Sequence, residues 1–180
     1  MVYLFLADGF EEVEAVVPID LLRRAGVEVI TVGVGSKKIT GAHQITLIAD
    51  WEEHELQDVR GAEGVILPGG PGRTNLRKSA VMRETVLQMA RDGKMIAAIC
   101  GAPELLGEMG LLEGVRATCF PGCEASCTGA IMQNTSVCRD GNIITSRGAG
   151  TALTFALEIV SYLKGKDAAD KLAEEIQCAK

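Results

Sequence analysis

A chain of 180 residues, 47% hydrophobic and 23% charged, is long enough for one domain with a sizeable core and too apolar to remain disordered. Its net charge of −6, with no basic cluster, argues against nucleic acid or an anionic membrane surface as a partner. No apolar run approaches the ~20 residues of a membrane span.

The N-terminal "MVYLFLADGF" is apolar for only a few residues and lacks a basic flank. It reads as a first strand rather than a signal peptide, and a cytoplasmic location is expected. Next comes "FEEVEAVVPIDLLRRAG", with the spacing of a helix, and then "VEVITVGV", a β-branched run ending in glycine. "GVILPGG" is a short apolar strand stopped by Pro68, Gly69 and Gly70. A helix over residues 80–91 leads into the strand "KMIAAIC", and "VRATCF" reads as a further strand. "SVCRDGNIITS" places Asp140-Gly141 between two β-like runs, the signature of a hairpin. "GTALTFALEIVSYLKG" is a long helix ending at Gly165, and "KDAADKLAEEIQ" is the last. Short buried strands alternating with helices predict an α/β fold: a mostly parallel sheet with helices on both faces, in one domain spanning 1–180.

In such folds, sites gather at the carboxyl ends of the strands. Three features of this chain end there. Cys100 lies at a strand tip, directly before a helix start with Pro103 in its first turn. A thiol at that elbow faces the positive end of the helix, which lowers its pKa, so Cys100 is expected to be the most acidic of the six thiols. Glu14 falls on the helical stripe with Val17, Leu21 and Ala25, which should face the core. A carboxylate there needs a partner or a proton. A structural acid is the plain alternative. Pro18, which clashes with the carbonyl of Glu14, suggests a kink in the helix. Glu11 and Glu12 fit a helix-capping role. "LPGGPG" lacks the spacing of a dinucleotide fingerprint, but its glycines let backbone N–H groups approach a ligand; a tight turn is the plain alternative.

The cysteines are Cys100, Cys119, Cys123, Cys127, Cys138 and Cys178, and the histidines are His43 and His54. Without an export signal, reduced thiols are expected. The four-residue spacing of Cys119, Cys123 and Cys127 is unlike common zinc sites, so no metal is expected. If "VRATCF" is a strand, Cys119 lies on the same side of the sheet as Cys100 and could resolve its sulfenic acid; a packed, reduced cysteine is the plain and favoured alternative.

The segments "LADGFEEVEAVVPIDLLRRAGVEV", "VILPGG", "AAICGAPELL" and "TSRGAGTALTFALEIV" together resemble the ThiJ/PfpI superfamily, within it the branch of Parkinsonism-associated protein deglycases and YajL-like proteins. The resemblance implies a flavodoxin-like three-layer sandwich with a nucleophile elbow, no cofactor, and a homodimer. It implies that Cys100 is the reactive cysteine, Glu14 the protonated acid beside it, and Gly70 and Gly101 the oxyanion donors, with Arg147 in the "SRG" segment nearby. His43 occupies the place of an arginine that reaches the site across the dimer, and His54 reads as a surface residue. Hydrolytic branches carry a histidine directly after the cysteine, where this chain has Gly101. Phe120-Pro121 stands where other members have His-Pro, so a protease is not expected. Two functions remain open: a glyoxalase or deglycase acting on small aldehydes or glycated substrates, and a redox-sensing or chaperone-like stress protein that uses the same thiol without turnover.

Overall fold

The computed structural model describes residues 1–178. Strand β1 (Val2–Leu6) is buried throughout and leads into helix α1 (Glu12–Arg24). Strand β2 (Val29–Gly33) is followed by a small antiparallel ribbon, β3 (Lys38–Thr40) with β4 (Thr46–Ile48), and the short edge strand β5 (Trp51–Glu52). Strand β6 (Gly64–Leu67) runs into the short helix α2 (Arg73–Leu76). Helix α3 (Ala80–Arg91) is capped by Ser79, whose side chain accepts the Met82 N–H at 3.0 Å. Strand β7 (Met95–Ile99) and helix α4 (Pro103–Glu108) flank Cys100. Two-residue strands β8 (Arg116–Ala117) and β9 (Ile131–Met132) pair with each other. Strands β10 (Val137–Asp140) and β11 (Ile143–Ser146) form the hairpin, and helices α5 (Ala152–Lys164) and α6 (Lys166–Glu175) close the fold.

The main sheet has seven strands in the order β10-β11-β7-β6-β1-β2-β5. All neighbours are parallel except β10 with β11. The strand order reverses beside β1, so the loops after β1 and β6 part there and leave a crevice at the carboxyl ends. Two hydrophobic clusters line the faces. One holds Tyr3, Phe5 and Leu67 against α3 and α4; the other holds Leu4, Phe10 and Ile66 against α1, α5 and α6. Strands covered on both faces explain the unbroken apolar runs of the sequence. Among the described residues, no helix is long and apolar enough to cross a membrane.

α1 spans Glu12–Arg24 with Pro18 inside it. One expectation changes. "VRATCF" supplies only Arg116–Ala117, outside the main sheet. At Thr118 side chains take over from the strand ladder: its N–H donates to Thr145 Oγ1 at 2.9 Å, and its hydroxyl donates to the Thr135 carbonyl at 3.0 Å.

Candidate active site

Cys100 sits immediately beyond β7 with φ +65°, in the left-handed region. A non-glycine residue there costs about 1–3 kcal/mol, and only surrounding bonds keep it in place. The Cys100 N–H donates to the Ser146 carbonyl at 2.9 Å, its carbonyl accepts the Phe120 N–H at 2.8 Å, and the Ala102 N–H closes the turn onto Ile99 at 3.1 Å. Pro103 then opens α4, as the sequence suggested.

Glu14 comes to this thiol from the first turn of α1 and is 1% exposed. Its Oε2 accepts the Gly69 N–H at 2.9 Å, and the carboxyl and thiol are close enough to share a hydrogen bond. Burial lifts Glu14 from the usual carboxylate range to about 7, against the opposing pull of the Gly69 and Cys100 contacts. The N–H groups of Gly70, at φ +82°, and of Gly101 point at the sulfur and favour its charged form.

The thiol itself departs from the expectation of an acidified cysteine. Burial, followed by the charge of Glu14, pushes Cys100 up to about 12. The six-residue α4 and two amides do not offset that desolvation. The repulsion by Glu14 exists only while Glu14 is ionised. With the proton on Glu14 it vanishes, and the carboxyl O–H becomes a donor to sulfur. The two acids therefore titrate as a pair: near neutrality the thiol keeps its proton and Glu14 stands at its midpoint.

A cavity of about 340 Å³ opens beside the sulfur, lined by Gly70, Arg73, Cys100, Gly101, Phe120 and Cys123. Arg73 was not foreseen. Its Nε donates to the buried Glu104 at 2.9 Å and its Nη1 to the Gly70 carbonyl at 3.2 Å. A Cβ at Gly101 would lie 2.7 Å from Arg73 Nε, so glycine is the residue that fits after Cys100 here. A larger cavity of about 550 Å³, between Leu56–Arg60 and α3, contains neither cysteine nor histidine.

Other expected residues lie elsewhere. His43 is bound to Glu12: the buried Glu12 carboxylate accepts the His43 backbone N–H at 2.6 Å, meets its Nδ1 at 2.8 Å, and takes the Ile45 N–H at 3.4 Å. Glu12 thus clamps the 41–45 loop, beyond the capping role expected for it. Its hydrogen bonds hold the His43 pKa up. Glu11, Glu12 and His43 bring together three metal-type ligands, but those lone pairs of Glu12 already take these bonds. Neither His43 nor Arg147 lines the Cys100 cavity. Arg147 bonds to Asn134 and, with Cys119, borders a separate cleft. Cys119 donates to the Phe120 carbonyl at 3.4 Å and shares a hydrogen bond with Cys127, while Cys123 is the second cysteine on the Cys100 cavity. His54 is exposed beside Glu52.

This architecture is shared. The family model "DJ-1/PfpI family" matches residues 1–162. Protein DJ-1 homolog B of Arabidopsis thaliana is 38% identical over 170 residues, 91% of this chain, although the chain spans only 38% of that protein's length. A protein of Pyrococcus abyssi named a deglycase is 34% identical over 167 residues, covering 91% of this chain and 99% of its own. The crystal structure of a DJ-1 superfamily protein from Salmonella typhimurium superposes with a TM-score of 0.94 at 33% identity, over 99% of this chain and 98% of that one. With a match along nearly its whole length and the same flavodoxin-like sheet, the chain belongs to the DJ-1/PfpI family.

Proposed function

We propose that this protein is a cofactor-independent glyoxalase or deglycase that acts on methylglyoxal, glyoxal and their adducts through Cys100 and Glu14. The observation that carries the reading is the pair itself: a buried carboxyl lifted to about 7, in contact with a thiol at the wall of a cavity. A base with that pKa is suited to proton transfer at neutral pH. The thiol sulfur attacks the aldehyde carbon as its proton passes to Glu14, so no free thiolate need accumulate. The carbonyl oxygen takes the developing negative charge near the Gly70 and Gly101 amides. Glu14 returns the proton to that oxygen, giving a hemithioacetal. Further proton shuttling by Glu14 and addition of water release a hydroxy acid and restore the thiol. The relative named a deglycase supports this substrate class.

A second reading rests on the same contact. A protonated Glu14 beside the half-buried Cys100 can donate a hydrogen bond to a sulfenic or sulfinic oxygen, favouring a redox-responsive role. Lactate formation from methylglyoxal by the wild type and by Cys100→Ser decides between them. Turnover that requires Cys100 supports the enzyme; its absence in both leaves the redox role. We also propose a homodimer, with the half-exposed Val13 and Val16 on α1 and Leu153 on the adjoining α5 as candidate contacts.

A further inference from the structure

We infer that Arg73 is a positioning residue that clamps both amide donors of the Cys100 site, with buried Glu104 as its anchor. The guanidinium spans the two glycines. Its Nη1 donates to the Gly70 carbonyl at 3.2 Å, and that carbonyl also accepts the Arg73 backbone N–H at 3.2 Å. Its Nε and Cδ lie directly against Gly101, where an added Cβ would fall 2.7 and 2.8 Å from them. Gly70 and Gly101 are the two residues whose N–H groups face the sulfur. Glycine has the greatest backbone freedom, so an amide donor on glycine is accurate only when something fixes it.

Glu104 supplies the fixed point. It is 6% exposed, lies in the first turn of the helix that follows Cys100, and accepts Arg73 Nε at 2.9 Å and Arg77 Nη2 at 2.6 Å. Arg77 is tied in turn to Glu108 at 2.9 Å. The two arginines and two glutamates balance in charge, so Arg73 presents geometry more than net charge to the site. The planar fork is needed because one group must meet a carboxylate and a carbonyl together; an ammonium of similar reach is not equivalent.

The inference rests on Cys100 as the reacting thiol of the proposed reaction. The test reads the thiol without substrate, so a missing turnover and a missing clamp are separate results. The rate of Cys100 alkylation by iodoacetamide is measured against pH for the wild type, Arg73→Lys, Arg73→Gln, Glu104→Ala and Glu104→Gln, with circular dichroism to check folding. Loosened amides stabilise the thiolate less. At a fixed pH below the midpoint, alkylation of Arg73→Lys and Arg73→Gln is therefore expected to be about tenfold slower than that of the wild type, the equivalent of a midpoint raised by about one pH unit. Glu104→Ala, which keeps the Arg73 charge but removes its anchor, should shift the midpoint the same way. Glu104→Gln, which keeps an acceptor, should restore most of it. Where methylglyoxal turnover is measurable, Arg73→Lys should lower kcat and leave KM nearly unchanged. A wild-type midpoint in Arg73→Lys, or a lowered midpoint in Glu104→Ala, overturns the clamp and leaves Arg73 as a simple charge. If Glu104→Ala does not fold, the comparison of Arg73→Lys with Arg73→Gln decides alone: a charge role makes lysine resemble the wild type, and a clamp makes it resemble glutamine.

Discussion

Glu14 and Cys100 meet across Gly69: a Cβ on that glycine would lie 2.6 Å from the Cys100 Cβ and 2.8 Å from Glu14 Oε2. The acid and the thiol come from different helical connections, after β1 and β7, and the absent side chain lets them touch. Gly69→Ala should therefore force them apart. The overpacking should cost about 1–3 kcal/mol of stability. Displacement by a fraction of an ångström to 1 Å should cost turnover roughly a hundredfold. Unchanged methylglyoxal turnover in a folded Gly69→Ala protein would falsify the proposed pairing.

The proton on Glu14 makes stability depend on pH in a definite direction. Its folded pKa is raised from 4.5 to about 7, chiefly by burial. The folded protein thus holds this proton more tightly than the unfolded chain. The resulting stabilisation is complete below the unfolded value and is lost as pH rises through the folded one. Relative to Glu14→Gln, which cannot ionise, the wild type should lose about 3 kcal/mol between about pH 4 and pH 8. Denaturant titrations of both proteins across that range measure it, and a pH-independent difference excludes the raised carboxyl. Turnover should rise over the same interval as Glu14 becomes a base, whereas Glu14→Gln should be slower by about a hundredfold or more at every pH.

The parts of this site legible in the sequence are those set by short-range pattern. Glu14 stood out because a carboxylate on an apolar stripe needs a local reason, and Cys100 because an apolar run ended at it. The alternation of strands and helices sufficed for the sheet and its carboxyl-end site. Arg73 was not legible, because its anchor Glu104 is 31 residues away and neither residue breaks a periodic pattern. The acidified thiol failed for a related reason: the helix start is visible in sequence, but the degree of burial that opposes it is not. Cys119 was assigned to the Cys100 side by extending a strand that ends two residues earlier, at Ala117. Beyond that point the face alternation of a strand no longer applies.

A dimer through α1 gives a simple test. Val13 and Val16 are 45% and 41% exposed, one turn apart, and Leu153 on the packed neighbour α5 is 45% exposed. Covering the remaining exposed part of each such side chain stabilises an association by about 0.6–1.4 kcal/mol, less than half the value for burying a fully exposed one. Val16→Glu would place a charge in that contact and should raise the dimer dissociation constant by roughly a hundredfold. Sedimentation equilibrium should find the wild type dimeric at micromolar concentration and the variant largely monomeric. A monomeric wild type ends the proposal; an unaffected dimer moves the interface off α1.

Oxidation should leave Cys100 without Cys119 as its resolving partner. Cys119 is 3% exposed, shares a hydrogen bond with Cys127, and does not line the Cys100 cavity. Cys127 is equally buried, so both are shielded from peroxide. Cys100 is half-buried at the cavity wall, with Glu14 beside it to take up a thiol proton. Peroxide should therefore add oxygen to Cys100 first, while Cys119 stays available to alkylation after denaturation. If a disulfide forms within this group at higher peroxide, the thiol contact favours Cys119 with Cys127, and Cys123 is the cysteine that shares the cavity with Cys100. Peptide mapping after graded oxidation separates these outcomes. A Cys100–Cys119 crosslink as the first product would show that the 118–127 loop rearranges to bring the two sulfurs together, contrary to the arrangement described.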